Sequence, residues 1–442
     1  MNIIFFAIVA IAFVTAGVRQ INWALPAGDG KSPMEILAAA VINSAESSVT
    51  LALGLIGVMA LFLGLMKVAE AGGLLVIIAR LVRPLMQRLF PDVPPDHPAM
   101  GAMILNMSAN VLGLGNAATP FGIRAMQELD KLNPVKGTAT NAMVLFLAIN
   151  TSSVTLLPTG VIALRAAAGS TDPAGIVPTT LFATVCSTAI AIIVAKLCQR
   201  FWLPNPADAL SAGEAMAETA ALGGDDLDTG AAAADLDTEG ADQSYAAWIS
   251  YLVLAGILAL IPLTVLFGRQ IAPWIIPGIL VALLGFGFQR RVRVYESFVE
   301  GAKDGFTVAL RIIPYLVAIL VAVGMFRASG AMEMLIRPLS ALTEPLGLPA
   351  EALPMALLRP LSGSGAYGIL ASIINDAAIG PDSYAGYLVS TLQGSTETTF
   401  YVLAVYFGAI QVRRIRHALV AGLSADVAGV IGAVIAVSLF LA

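Results

Sequence analysis

The sequence predicts an all-α, polytopic membrane protein made of two inverted-topology repeats that contain re-entrant hairpins and broken transmembrane helices. Three observations predict it. Of 442 residues, 58% are hydrophobic and only 12% charged, and the mean hydropathy is +0.86, which excludes a water-soluble globular domain. Apolar runs near the roughly 20 residues that a bilayer core requires alternate with shorter ones interrupted by Gly, Asn, Ser, Thr or Pro. The same order of interruptions then occurs twice along the chain.

The elements can be justified in turn. Asn2–Ala16 is apolar and lacks a basic leader, so it is expected as a retained first span. Val49–Met66 is the first long span, with Glu46 before it as an interfacial anchor. After Ala71-Gly72 comes a segment carrying Arg80, Arg83 and Arg88, expected as a helix lying in the cytoplasmic interface. Ala99–Asn110 and Ala117–Leu129 are each too short to cross. Gly113 and Gly115 permit a sharp turn between them and Pro120 suits a first helical turn, which predicts a re-entrant hairpin. Thr138–Ile149 and Leu156–Leu164 read as one broken span, and Val177–Leu197 as a full one. Cys186 and Cys198 both lie in this last region and imply neither a disulfide framework nor a metal knuckle.

Between Leu203 and Ala246 there are ten acidic residues and no Lys or Arg. With hardly any large apolar residue, this stretch is expected as a disordered cytoplasmic linker over 201–245. The rest of the chain holds 19 acidic and 24 basic residues, which suits basic inward-facing loops. The linker divides a first domain, 1–200, with its repeat at about 45–200, from a second, 246–442. The second domain is expected to open with a two-span hairpin, Ala246–Phe267 and Ile271–Phe288. Its repeat, about 305–442, follows with a span at Thr307–Phe326, a hairpin at Met355–Leu361 and Ala366–Asn375, a broken span at Tyr384–Leu392 and Phe400–Ile410, and a full span at Ala418–Leu441. Ser329-Gly330 and Arg337-Pro338-Leu339 match Ala71-Gly72 and Arg83-Pro84-Leu85, Ser362 to Ala366 align with Asn106 to Asn110, and Gln393 to Thr398 with Asn150 to Thr155. Lys196 and Arg200 before the two-span hairpin, and Arg290, Arg291 and Arg293 after it, put both its ends inside. Walking outward, the two repeats enter the membrane from opposite sides, the arrangement of many secondary transporters.

Irregular backbone at membrane depth persists only where it is buried in protein or lines a polar cavity, so the breaks carry the candidate site. In the first half the hairpin offers Asn106, Ser108, Asn110, Asn116 and Thr119, and the broken span Asn150, Thr151, Ser152 and Ser153. In the second half the hairpin offers Ser362 and Ser364, and the broken span Gln393, Ser395, Thr396, Glu397 and Thr398. These amides and hydroxyls suit hydrogen bonding to a small polar solute, or else a small-residue packing interface between helices. Glu397 is the one carboxylate in the two broken-span runs. An ionisable group at that depth is a functional candidate by default, expected to accept a ligand donor, a proton or a cation, or to pair with Arg359 across the bundle. Asp376 is expected to cap its half-helix. The run Gly28-Asp-Gly30-Lys31-Ser32 ends like a phosphate loop, but Leu25 stands where the motif needs Gly, so nucleotide hydrolysis is not expected. His97 and His417 are far apart and flank no serine nucleophile. No catalytic residue, metal ligand or cofactor is expected, with sodium or a proton as the coupling ion, and nucleic acid is not an expected partner.

The run Asn110 to Pro120 with Ile149 to Thr155 resembles spore maturation protein A, and Arg359 to Ala366 with Gly394 to Tyr401 resembles spore maturation protein B. The chain thus looks like a natural fusion of the two. Both belong to the nucleoside-recognition, or gate, domain family, which is similar to the core of concentrative nucleoside transporters and of the ferrous iron transporter. The resemblance implies a transport-like helical core in the plasma (inner) membrane, a nucleoside-like solute, and a homodimer or homotrimer. The GTP-binding domain of the iron transporter has no counterpart here. The expected function is secondary transport or permeation of a small polar solute between two hairpins and two broken helices. The alternative is a non-transporting scaffold or regulator of cell-envelope or spore maturation that keeps a transporter fold.

Overall fold

The computed structural model describes residues 2–23, 31–113, 115–152, 154–202 and 245–441. The expected linker, apart from 201, 202 and 245, lies outside the described residues, as do Gly28, Asp29 and Gly30. Among the described residues the regular elements are all helical. The first half runs α1 (Asn2–Ile21), α2 (Pro33–Ala71), α3 (Leu74–Leu89), α4 (Pro98–Val111), α5 (Gly115–Lys131), α6 (Asn141–Ser152), α7 (Thr159–Ala167) and α8 (Ile176–Cys198). The second runs α9 (Ala247–Gln289), α10 (Val294–Ala328), α11 (Ala331–Thr343), α12 (Leu353–Leu358), α13 (Gly363–Ile374), α14 (Tyr384–Ser395), α15 (Thr399–Ala409) and α16 (Ala418–Leu441).

Local chemistry sets the ends of these helices. Ser32 Oγ accepts from the Glu35 N–H at 3.3 Å while Glu35 Oε2 accepts from the Ser32 N–H at 2.7 Å, a reciprocal cap at the start of α2. The Ser32 that ended the phosphate-loop-like run is therefore a helix cap. α2 stops at Gly72, and Gly73 opens α3 with φ of 79°, a left-handed conformation that disfavours a side chain by about 1–2 kcal/mol. The helix axis turns by 71° there. Gly330, φ 82°, makes the corresponding turn between α10 and α11. In α3 two residues of the expected basic face are held within the protein: Arg83 is buried and donates to Pro95 O at 3.2 Å, and Arg88 lies over the Tyr251 ring, 5.0 Å from its centroid.

One expectation needs correction. The two-span hairpin of 246–288 is a single helix, α9, of 43 residues. Gly268 is the only glycine or proline in the expected turn of 268–270 and costs a helix only about 1 kcal/mol, while Pro262, Pro273 and Pro277 are carried inside the continuous helix. The Lys and Arg walk that set the repeats in opposite directions loses its hairpin step with it.

Among the described residues, α8 and α16 are each long and apolar enough to cross a membrane, and the bent pair Ile56–Ala71 with Leu74–Leu89 qualifies together. α16 shows how such a helix is sorted. Its large residues Val420, Leu423, Val427, Ile431 and Ile435 are exposed, while Ala418, Ala421, Ala425, Gly429, Gly432 and Ala436 are buried. An outward apolar face with an inward small-residue face is the pattern of helices packed within a bilayer. The inward face meets α8 antiparallel. Trp202 lies 6.1 Å from His417 at one end, Ser187 Oγ donates to Ala425 O at 2.8 Å midway, and Gly432 abuts Ala183 and Cys186 beyond. α2 and α10 are also antiparallel, with Gly324 against Ser44 and Gly301 against Leu63 and Gly64.

Two large apolar cores result among the described residues, each drawing on both halves, beside a small third one of Ala12, Ala16, Leu37 and Met325. One gathers α4, α5 and α6 with α15 around Met103, Phe146 and Phe407; the other gathers α7, α13 and α14 with the far end of α16 around Ile162, Leu370 and Leu388. Loops cross-link the halves as well. Ala139 N–H donates to Arg414 O at 3.0 Å, and Thr171 N–H to Asp382 Oδ2 at 2.8 Å. Because α8 and α16 are antiparallel, these two links lie at opposite ends of that pair.

Candidate functional site

The two interrupted spans meet in the interior. α6 stops at Ser152 and α7 begins at Thr159, while α14 stops at Ser395 and α15 begins at Thr399. The Glu397 N–H donates to Thr151 O at 2.8 Å, so the backbone of one break satisfies that of the other. Each break is also tied to the hairpin of its own half. Leu156 N–H donates to Val111 O at 3.0 Å, and Phe400 N–H to Pro360 O at 3.1 Å. The second hairpin has a much shorter first arm, α12, than the first hairpin's α4, so Asn106 to Asn110 lie in a first arm while Ser362 to Ala366 lie at the start of a second.

Around the first break the amides form a chain. Asn110 Nδ2 donates to Asn150 Oδ1 at 3.0 Å, and Asn150 Nδ2 to Phe146 O at 2.9 Å. Asn106 Nδ2 donates to Ala118 O at 2.7 Å and reaches Tyr406 Oη at 3.2 Å, which in turn donates to Asn150 Oδ1 at 3.3 Å. Ser108, Thr151 and Ser152 turn their hydroxyls back onto carbonyls of their own helices. Thr119 lies beside the Tyr401 hydroxyl. Ser153 lies outside the described residues, and Asn116 and Ser364 are placed only as helix positions.

Around the second break a guanidinium organises the chain. Arg359, buried, donates from Nη1 to Thr398 Oγ1 at 2.9 Å and from Nη2 to Thr396 O, and its Nη2 lies 3.8 Å from Glu397 Oε2. The expected Arg359 pairing is thus present. The Glu397 side chain is 47% exposed although Ser395, Thr396, Thr398 and Thr399 around it are buried, so it reaches the molecular surface. Ser362 caps α13 by accepting from the Gly365 N–H at 3.0 Å. Ser395 Oγ returns to Leu392 O. Gln393 is buried and its Oε1 finds no partner among the described residues. Asp376 is not the cap expected of it: the C-cap of α13 is Asn375, and Asp376 accepts from the Ala378 N–H in the turn beyond and pairs with Arg327 at 3.1 Å. Glu46 is exposed on α2.

Sequence reasoning passed over Asp426 and Tyr406, and gave Thr399, the end of the second polar run, no role of its own. Asp426 of α16 accepts from Thr399 Oγ1 at 2.7 Å. It is the one acid in an otherwise apolar final span, and that alone could have flagged it. Thr399 directly follows the residues singled out. Tyr406, 300 residues from Asn106, carries no local signal.

A second cluster was not foreseen. Arg165, with no solvent exposure, donates to Pro381 O at 2.6 Å, to Asp172 O at 3.1 Å and to Asp382 Oδ1 at 3.0 Å, and lies over the Tyr387 ring. Asp382 also accepts from Ser170 Oγ at 2.5 Å and from Thr171 N–H and Oγ1, each at 2.8 Å. Partial burial alone would raise the Asp382 carboxyl, but the Ser170 and Thr171 donors and the Arg165 charge outweigh it and hold it below the ordinary carboxylate range. Asp172 goes the other way, raised chiefly by burial. Two cavities lie away from the breaks, one of about 210 Å³ beside Asn133, Thr138 and Arg416, the other of about 380 Å³ beside Arg327, Glu333 and Glu351.

A family profile described as Gate, nucleoside recognition, matches residues 52–168 and 309–413. Spore maturation protein A of Bacillus subtilis (strain 168) is 50% identical over 155 residues, 35% of this chain and 79% of that protein. Spore maturation protein B of the same strain is 48% identical over 164 residues, 37% of this chain and 91% of that protein. The two match different parts of the chain. No solved structure matches it.

Proposed function

The chain belongs to the Gate (nucleoside recognition) family, and from that premise we propose that it is a membrane permease or secondary transporter for a small polar solute. The solute sits where the two breaks meet. The observation that carries this reading is the Glu397 N–H to Thr151 O bond at 2.8 Å, which joins two unwound segments beside a half-exposed carboxylate. Unwound backbone inside a helical membrane protein is the usual setting for substrate and coupling-ion sites. Asn110, Asn150, Thr398 and Glu397 supply donors and acceptors, and the family name favours a nucleoside-like solute. Coupling to sodium or a proton, a homodimer or homotrimer, residence in the plasma membrane and a cytoplasmic linker belong to the same proposal.

An inverted repeat is part of the reading. The order of long helix, bent-off short helix, hairpin, broken span and apolar helix runs through α2–α8 and again through α10–α16, and the family profile matches in two segments. A two-fold axis in the membrane plane makes corresponding helices that touch run antiparallel. The pairs α2 with α10 and α8 with α16 do so, which supports opposed orientations independently of loop charge.

The test is thermal stability of the detergent-purified protein against nucleosides, nucleobases, amino acids and cell-wall fragments, with and without sodium. A ligand present at 100 times its dissociation constant adds about 2.7 kcal/mol to the folded state. A shift in wild type that Glu397→Gln abolishes supports the permease. A second reading, a non-transporting scaffold of envelope or spore maturation, is favoured by the density of internal hydrogen bonds at the breaks. No shift with any solute in either protein, both remaining folded, selects it.

A further inference from the structure

We propose that Asp426 is a proton-binding site, distinct from Glu397 and buried behind it. Its placement in α16 is unusual for a charge. The helix turns Val427, Ile431 and Ile435 outward, whereas Asp426 faces inward at 6% exposure, on the side of Gly422 and Gly429, which press against Thr399 and Thr396 respectively. Oδ2 accepts from Thr399 Oγ1 at 2.7 Å. Oδ1 has no hydrogen-bond partner among the described residues. An ionised carboxylate removed from water is costly unless it is paired and hydrogen-bonded, and one hydroxyl leaves half of this one unmet.

The charged groups around it decide how the deficit is filled. At the breaks stand Arg359, whose charge reaches Asp426, and Glu397, 3.8 Å from the same guanidinium. α6 and α14 contribute no charged residue. α8 brings Cys186, near Gly432, and Lys196, which is engaged with Leu89 O. His417 sits at the far start of α16 against Trp202. α15 presents Tyr401 and Tyr406. The centre therefore holds two carboxylates and one guanidinium, an excess of one negative charge. Glu397 is half exposed and can stay hydrated; Asp426 cannot. A proton transferred from hydronium adds to Asp426 Oδ1, leaves a water molecule, breaks no bond in the protein, and makes the cluster neutral. Because Thr399 is the first residue of α15 and follows Thr398, the partner of Arg359, the proton acts on the residues that close the break. That last coupling rests on the permease reading; the protonation does not.

The test is infrared difference spectroscopy of the full-length protein in detergent micelles between pH steps above about 6, where ordinary carboxyl groups are already ionised, following the carbonyl stretch of protonated carboxyl groups. A titrating band is expected in wild type, lost in Asp426→Asn and kept in Glu397→Gln. A wild type without such a band, or a band that survives Asp426→Asn, overturns the proposal. If Asp426→Asn does not fold, Thr399→Ala takes its place: the pH midpoint of the band must move, and an unmoved midpoint overturns the assignment. No solute is needed, so a negative solute panel with the band present removes the permease and leaves the proton site standing.

Discussion

Replacing Asp382 tests whether the cluster around Arg165 is a latch between the two halves. Arg165 comes from the first half and has no exposure, whereas Asp382 comes from the second and is 33% exposed. Deleting one partner of a buried ion pair costs about 3–5 kcal/mol because the other charge is left uncompensated. Solvent reaches a third of this carboxylate, and Pro381 O and Asp172 O still receive the guanidinium, so screening lowers the expected cost of Asp382→Ala to about 2–3 kcal/mol. Arg165→Met, which keeps most of the volume and removes the charge, should cost about 1–2 kcal/mol, since Asp382 keeps its Ser170 and Thr171 donors. The double variant should then be milder than the sum by at least about 1 kcal/mol, because the buried unpaired charge disappears with its partner. Denaturant unfolding in mild detergent, followed by tryptophan fluorescence, gives the four free energies of the cycle. Costs that add to within about 0.5 kcal/mol would refute the latch.

The same cluster gives a pH dependence. Asp382 is held below its ordinary range in the fold, so its contribution is complete above the unfolded value of about 4 and is lost as the pH falls through the lower folded value. Stability curves of wild type and Asp382→Asn should converge on acidification below about pH 4; parallel curves contradict this. At the breaks, Glu397→Gln should change stability by less than about 0.5 kcal/mol, as its side chain is half exposed and its ion pair long. Arg359→Met, which strips the buried guanidinium from Thr396 O and Thr398, should cost about 2–3 kcal/mol, and equal melting points for the two variants would contradict this difference. Gly122 is pressed against the Tyr406 hydroxyl, which Asn106 and Asn150 hold in place. Gly122→Ala should therefore destabilise by about 1–3 kcal/mol and be partly rescued by Tyr406→Phe; a lack of rescue places the strain elsewhere.

Much of the architecture is written locally. A helix ends where Gly, Asn, Ser or Pro ends its apolar run, and so the hairpin at Gly113, the break after Ser152 and the break after Ser395 could be placed from spacing alone. The single helix α9 shows where that reasoning stops. One glycine between two apolar runs is compatible with a turn and with a continuous helix, and neighbours decide which.

The partners of the polar side chains were not legible in the same way. Composition and interruption determined that this is a helical membrane protein with polar breaks in both halves, because those properties depend on residues within a turn or two of each other. Which polar atoms share a centre was decided only when antiparallel α8 and α16 and the two broken spans were packed together. Asp426 meets Thr399 across 27 residues, Asn106 meets Tyr406 across 300, and Arg165 meets Asp382 across 217. Hydrogen bonds are short-ranged and directional, so a donor and acceptor far apart in sequence acquire meaning only when packing brings them within about 3 Å. The sequence could name the amides, hydroxyls and carboxylates of the breaks; tertiary packing selected which of them are closed upon one another and which, like Asp426 Oδ1, are buried without a partner among the described residues.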